Sequence, residues 1–392
     1  MKVALLADAR NRHTLRWSQW LSSNGYEVVV CSDRPARESF DFGAVRVLRP
    51  EWNLWRNLYA FKWHGGPLAN SRFKHLAWAP VLDRERPEIL HAHEAVAYGP
   101  MLHHFPEYPR VLTPWGTDVE RLADAEPEWA FLIRQGLHAA DVVTTNGPGL
   151  EAHWSRLSLL PQERFSLWSW GVDIDIYQPE PRVGDQELVS GLLGIPADTP
   201  VHLSPRLAKP YYNVSTIIAG WGQFAGSGCE SRLVVMRSGA DDDSWSAVLA
   251  AIAELQAPES VIPLETYLDE QALAALYRRS TGVIMLPETD LLSMSFLEAC
   301  GCGAIPVVPP IPVYTSCTGV GEQAAFRGLV VDEITPDAVA AAFSQLEAMP
   351  AGQLADWRSI NAAAVRRDHD RNQCMTRIHD VYQSARRGFA SF

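Results

Sequence analysis

The chain has 392 residues, of which 47% are hydrophobic, 20% charged and 10% aromatic, and its 34 Lys plus Arg stand against 46 Asp plus Glu for a net charge of −12. That length suits two domains of ordinary size and that composition can fill two cores, which excludes a disordered or fibrous chain. The acidic balance argues against a general nucleic-acid binder, because affinity for a phosphate backbone needs clustered positive charge.

Val3 to Ala7 reads as a short buried strand, Leu15 to Leu21 as a helix stopped at Asn24-Gly25, and Val28 to Cys31 as the next strand. This is a βαβ unit. Residues 46–78 then carry Arg46, Arg49, Arg56, Lys62, Arg72 and Lys74 against Glu51 alone, interleaved with Trp52, Trp55, Tyr59, Phe61, Trp63, Phe73 and Trp78. Such a basic, aromatic stretch can rest on an anionic bilayer, line an acceptor pocket, or simply pack against helices. Ile89 to His91, Val111 to Thr113 and Val142 to Thr144 continue the first strand series. A second series opens at Val201 to Ser204 and runs through Leu233 to Met236, Val283 to Leu286, Ile305 to Val308 and Leu329 to Val331. The expected fold class is α/β: two Rossmann-like, doubly wound parallel-sheet domains facing a central cleft, joined near Tyr177 to Arg182, with ligands at the carboxyl ends of the strands.

The six cysteines, Cys31, Cys229, Cys300, Cys302, Cys317 and Cys374, include no C-x-x-C pair and no histidine at zinc-finger spacing, so they read as buried thiols. No stretch approaches the ~20 apolar residues of a spanning helix. The apolar run at the start is cut short by Asp8 and Arg10, so a cytoplasmic protein is expected, with peripheral contact at the inner membrane face through residues 46–78 as a hypothesis. Two acidic strings, Asp173-Ile174-Asp175 and Asp241-Asp242-Asp243, imitate cation sites, but the first lies in the interdomain segment and the second precedes a helical run whose N-terminus favours acidic residues. No metal and no cofactor is expected.

The segment from Leu286 to Pro306 runs strand, polar loop, helix, glycine stop, strand. A loop ending at a helix N-terminus presents unpaired N–H groups and the positive end of the helix dipole, which suits a phosphate or an array of sugar hydroxyls. Asp290 falls in the loop and Glu298 in the helix, two acceptors suited to the hydroxyls of a nucleotide sugar. The plainer alternative is that Asp290 or Ser293 caps the helix and Glu298 is solvated. Arg206 and Lys209, three residues apart after the strand Val201 to Ser204, can converge on one diphosphate, the first as a fork and the second as a point charge. Two fixed cations there can do for a leaving diphosphate what a divalent metal does.

With these residues in hand, the chain resembles the retaining glycosyltransferases of family 4, which have the GT-B fold. The matching motifs are ordered: Arg12-His13-Thr14-Leu15-Arg16-Trp17, Leu90-His91-Ala92-His93, Leu112-Thr113-Pro114-Trp115-Gly116-Thr117-Asp118, Ala140-Asp141-Val142-Val143-Thr144, Trp170-Gly171-Val172-Asp173, Arg206 with Lys209, and the segment closing on Leu297-Glu298-Ala299. The resemblance implies an acceptor domain over residues 1–178, completed by a C-terminal helix at 371–392 that crosses back onto it, and a donor domain over 179–370. It implies a nucleotide-diphosphate sugar, a UDP-sugar being favoured, as donor and a hydroxyl on a glycan, lipid-linked or small molecule as acceptor. Arg206 and Lys209 then hold the diphosphate; Ser293, Met294 and Ser295 add amides or hydroxyls to it; Glu298 takes the ribose; and Thr266, Tyr267 and Leu268 border the base. Asp290 stands where the family's E-x7-E motif has its first glutamate, so the motif here is D-x7-E. Arg206, Lys209, Asp290 and Asp118 form the implied catalytic set, Asp118 orienting a sugar. His13, His93, Trp115 and Gly116 form the acceptor side. Trp115 replaces the histidine that many relatives have beside the donor sugar, and an indole accepts no proton. A GT-B-like phosphorylase or epimerase, or a sugar-nucleotide binder without turnover, is the alternative.

Overall fold

The computed structural model describes residues 1–50, 66–120, 126–226, 230–321 and 323–390, with the side chains of 66–73, 117 and 390 left aside. The chain divides into two compact units, residues 1–169 with 375–392, and residues 170–374.

The first unit is built on seven parallel strands: β1 (Lys2–Leu6), β2 (Glu27–Cys31), β3 (Arg46–Leu48), β4 (Ile89–His93), β5 (Arg110–Thr113), β6 (Val142–Thr145) and β7 (Phe165–Leu167), in the order β3-β2-β1-β4-β5-β6-β7. The inner strands are short and almost wholly buried, as a sheet covered on both faces requires, β4 burying His91 and His93 and β6 Thr144 and Thr145 among apolar residues. Asn11 starts the first helix, Arg12–Ser23, by accepting the His13 amide at 2.7 Å. The helix Pro127–Ala139 packs so closely on the turn Gly99–His104 that a Cβ on Gly136 would stand 2.6 Å from the Gly99 carbonyl carbon. The helix Arg377–Ala390 closes the unit: Ile378, Val381, Tyr382 and Ala385 recur at helical spacing and are all buried. Its Tyr382 hydroxyl lies 2.9 Å from His91 Nδ1, and His379 stacks on Tyr26.

The second unit holds β8 (Val201–Ser204), β9 (Arg232–Met236), β10 (Val261–Leu264), β11 (Ser280–Ile284), β12 (Ile305–Val308), a small pair β13 (Thr318–Gly319) and β14 (Phe326–Arg327), and β15 (Leu329–Val330). The main sheet is parallel, in the order β10-β9-β8-β11-β12-β15. The two doubly wound α/β units are those expected.

Several details depart from the expectation. β3, β7 and β10 carry no strong strand signal; β10 contains Pro263, tolerated because the strand lies at the sheet edge. The division falls at 169/170 and 374/375 rather than at 178/179 and 370/371, because Tyr177 is part of the second unit's core beside Tyr277 and Arg371 pairs with Asp173 at 2.6 Å. That pair also gives Asp173 a structural role, and Asp241 caps the helix Asp242–Ala253 through the Ser244 amide at 2.8 Å.

Of the basic, aromatic stretch at 46–78, residues 51–65 lie outside the described residues, as do the side chains of 66–73. Its described part is built into the fold. Arg46 pairs with Glu85 at 2.6 Å and, with Lys2, holds that carboxyl down to about 2; Lys74 pairs with Asp33 at 2.7 Å; and Trp78 is buried, donating to Asp33 at 3.2 Å. Cys31, Cys300, Cys302, Cys317 and Cys374 are free thiols, the first three buried, while Cys229 lies outside the described residues. Among the described residues no helix is long and apolar enough to cross a membrane.

Candidate functional site

In each sheet the strand order reverses once, between β1 and β4 in the first and between β8 and β11 in the second. Loops leaving the carboxyl ends at such a reversal diverge to opposite faces and leave room for a ligand. Most of the residues singled out by sequence gather at these two places, while Thr266 to Leu268 follow the edge strand β10.

In the second unit Arg206 follows β8 and Asp290 follows β11. The guanidinium sits 3.1 Å from Asp290 Oδ2 and 4.4 Å above the Tyr212 ring. Burial disfavours the cation, but the facing Asp290 outweighs it and the guanidinium pKa is raised. Asp290 Oδ2 also accepts from the Tyr314 hydroxyl at 2.6 Å, and Oδ1 from the Leu291 amide at 3.0 Å. The Tyr314 oxygen is 3.1 Å from Ser293 Oγ, which caps the helix Met294–Gly301 by accepting the Phe296 amide at 3.3 Å. A continuous chain of polar contacts thus joins Arg206 to the helix tip. The Lys209 ammonium has no hydrogen-bond or ion-pair partner among the described residues; its charge is felt by Asp241.

The structure changes the expected setting of Asp290 and removes the plainer alternative for Glu298. Asp290 does not offer an unoccupied carboxylate, because Arg206, Tyr314 and the Leu291 amide already occupy it. Glu298 is not a solvated side chain: it is 3% exposed, close enough to Tyr277 that, after burial, it is the next cause of that phenol's raised pKa. The Ser295 hydroxyl faces the same Tyr277 and acts on its pKa in the opposite direction. Thr266 and Tyr267 are exposed and Leu268 is buried just beyond β10, and Met294 is half-buried at the first position of the helix.

In the first unit His13, His93 and Trp115 come together, with ring centroids 5.9 Å apart for His13 and Trp115 and 6.5 Å for His93 and Trp115. His93 also lies edge-on to Trp17 at 5.1 Å and to His91 at 4.7 Å. It is 1% exposed, and neither ring nitrogen has a hydrogen-bond partner among the described residues; the Trp115 Nε1 is likewise buried and unpartnered. Burial pushes His93 down to about 3, so it is a neutral ring at physiological pH. His91 differs: its nitrogens meet Tyr382 and, at 2.6 Å, Thr113, which in turn meets Thr144.

Asp118 is not placed to handle a sugar. Its carboxylate accepts the backbone amides of Ala95 at 2.6 Å, Gly116 at 2.9 Å and Trp115 at 3.1 Å, so it braces the loops after β4 and β5. Gly116 supplies the positive φ of 112° that this turn needs.

Tyr212, Tyr314 and Glu94 are the polar residues of these sites that sequence reading misses. Glu94 could have been found from its place directly after His93 at a strand end. Tyr314 lies more than twenty residues from its partner Asp290, and nothing local marks it.

Comparison with known proteins shows what the chain is similar to. Residues 2–147 match the family described as glycosyl transferase 4-like. No curated protein matches the sequence. Among solved structures, sucrose-phosphate synthase from Thermosynechococcus elongatus superposes with a TM-score of 0.78 at 15% identity over 100% of both chains. Anabaena Alr3699/HepE, in complex with UDP and glucose, gives 0.73 at 13% identity over 98% of this chain and 100% of its own. An α,α-trehalose-phosphate synthase (UDP-forming) from Burkholderia vietnamiensis gives 0.72 at 12% identity over 97% and 99%. The fold is GT-B, and residues 2–147 are similar to the glycosyl transferase 4-like family.

Proposed function

We propose that the protein is a retaining glycosyltransferase that moves a sugar from a nucleotide diphosphate, UDP in particular, to an acceptor hydroxyl without a metal ion. The observation that carries this reading is the polar chain Arg206–Asp290–Tyr314–Ser293 ending at a helix N-terminus, with the unpartnered Lys209 three residues from Arg206. Arg206 is held by Asp290 in the orientation from which its remaining N–H groups meet a phosphate, Lys209 supplies a second charge, and the helix tip a third source of positive potential. Negative charge developing on the leaving diphosphate is stabilised by groups already in place.

In the reaction the acceptor oxygen forms a bond to the anomeric carbon on the face that the diphosphate leaves, the bond from that carbon to the phosphate oxygen breaks, and the departing phosphate takes the hydroxyl proton. No protein nucleophile is needed. Residues 170–374 serve the donor, with Glu298 on the ribose and Thr266 to Leu268 beside the base, and the first unit serves the acceptor through the cluster of His13, His93, Trp115 and Gly116. The solved Anabaena relative holds UDP and glucose, which supports UDP-glucose as the first donor to try. A cytoplasmic location belongs to the same proposal.

A panel of radiolabelled nucleotide sugars, each run with and without acceptor, tests the reading. Transfer that requires acceptor and preserves the anomeric configuration by NMR supports it. Product formed without acceptor, or dependence on inorganic phosphate, would assign an epimerase or phosphorylase instead, and UDP binding without turnover would assign a sugar-nucleotide binder.

A further inference from the structure

Glu94 belongs to neither polar network described above. It directly follows β4, on one side of the reversal point of the first sheet, where an open parallel sheet receives its ligand. Its backbone is left-handed, with φ of 70°. That conformation is strained for a residue with a Cβ and is taken far more readily by glycine or asparagine. Nothing in the backbone bonding calls for glutamate: the amide donates to the Thr113 carbonyl at 2.9 Å and the carbonyl accepts from Gly99 at 3.0 Å, as any residue would.

The side chain has no hydrogen bond or ion pair among the described residues, although the charged groups that face it all have partners. Asp118, from the loop after β5, is taken up by three backbone amides; Asp8, from the loop after β1, is held by Arg10 at 2.7 Å; and Lys74, from the helix Gly66–Glu85, is held by Asp33 at 2.7 Å. Burial, with Asp118 next in weight, pushes the Glu94 carboxyl up to about 7. Adjacent in sequence is His93, fully buried with two unpartnered nitrogens. Strain and unsatisfied polar atoms at a ligand-receiving strand end are retained where a bound molecule completes them.

We infer that Glu94 hydrogen-bonds a hydroxyl of the acceptor, and that the acceptor is an uncharged polyol or glycan at that point rather than a sugar phosphate. The inference rests on the transferase reading and deepens it. A sugar hydroxyl can donate to the carboxylate or accept from its protonated form, whereas a phosphate would face the carboxyl groups of Glu94, Asp118 and Asp8, which outnumber the nearby cations Lys74 and Arg10.

The test uses the full chain with UDP-glucose as donor. Glucose, fructose and N-acetylglucosamine serve as uncharged probes, and glucose 6-phosphate and fructose 6-phosphate as charged ones. Wild type is compared with Glu94→Gln, Glu94→Ala and Glu94→Gly, and UDP affinity and Tm are measured for each. Wild type should transfer to an uncharged sugar in preference to the phosphates. Glu94→Ala and Glu94→Gly should lose about 30-fold or more in kcat/KM for the acceptor, while Glu94→Gln, which keeps a hydrogen-bonding head, stays within about tenfold. UDP affinity should not change, and Glu94→Gly should match or exceed the wild-type Tm because the left-handed backbone is relieved. Wild-type kcat/KM in Glu94→Ala, preference for the phosphates, transfer to none of the uncharged sugars, or a Glu94→Gly variant that loses both Tm and UDP affinity would each overturn the inference. Failure of wild type to bind UDP or consume UDP-glucose would instead sink the transferase reading, whatever the variants do.

Discussion

The two sheets reverse their strand order in the same way but finish differently. At the reversal of the second sheet, charge is paired: Arg206 meets Asp290, Asp290 meets Tyr314, and Tyr314 meets the helix cap Ser293. At the reversal of the first, the His93 ring nitrogens and the Trp115 indole N–H are buried without a hydrogen-bond partner, and the Glu94 carboxyl makes no ion pair, among the described residues. One end is a finished electrostatic device and the other an unfinished one. The difference suits their proposed tasks, because a diphosphate carries strong charge that must meet a preorganised field, while an uncharged acceptor is recognised by hydrogen bonds that the free protein leaves unmade.

The largest effect should come from breaking the paired end. Arg206→Ala leaves Asp290 buried with a neutral partner, so it should lower unfolding stability by about 3 kcal/mol in a denaturant titration and turnover by more than about tenfold. The ion pair with Asp290 makes this variant a change of stability as well as of turnover. Lys209→Ala sharpens the contrast: its unpaired ammonium should cost about tenfold in turnover yet change stability by less than about 0.5 kcal/mol. Equal destabilisation by both would erase the distinction between a paired and an unpaired cation.

The unfinished end has its own pH signature. His93 stays neutral to about pH 3 when folded, whereas an unfolded histidine takes a proton near its ordinary 6.5. Between those values the unfolded chain binds the extra proton, so stability from this residue falls by ~1.4 kcal/mol per pH unit as pH drops, levelling below 3. Glu94 acts in the opposite sense: folded it keeps its proton to about 7, unfolded only to its ordinary 4.5, so stability falls as pH rises through that window. His93→Phe should therefore flatten the acid limb of a stability profile, and Glu94→Gln should remove a decline between pH 4.5 and 7. A profile unchanged by His93→Phe would mean that the ring is solvated or paired after all.

The smallest expected effect is that of Tyr314→Phe. It removes one hydrogen bond to Asp290, which keeps Arg206 and the Leu291 amide, so it should raise the KM for donor by only about threefold. An unaltered donor KM would leave Tyr314 a packing residue.

What the sequence revealed and what it hid follow from how far apart the interacting residues lie. The βαβ repeats were legible because buried parallel strands are short apolar runs, so Val201 to Ser204 and Ile305 to Val308 are read to the residue. Arg206, Lys209, Asp290 and Ser293 were legible because they sit at strand ends and a helix cap, places that local signals mark. The pairing of Arg206 with Asp290 was not, since it joins residues 84 apart and depends on which strands are neighbours. Asp118 was assigned a sugar for the same reason: only the fold reveals that backbone amides from Ala95, Trp115 and Gly116 converge on it. β10 was hidden by its proline and its edge position.

Titration calorimetry of UDP into wild type, Lys209→Ala and Glu94→Gln probes the donor site most directly. Wild type should bind, Lys209→Ala should bind about tenfold more weakly with unchanged stability, and Glu94→Gln should bind as wild type does. Equal UDP affinity in wild type and Lys209→Ala, or no binding by wild type, would contradict a diphosphate site built on Arg206, Lys209 and the helix tip at Ser293.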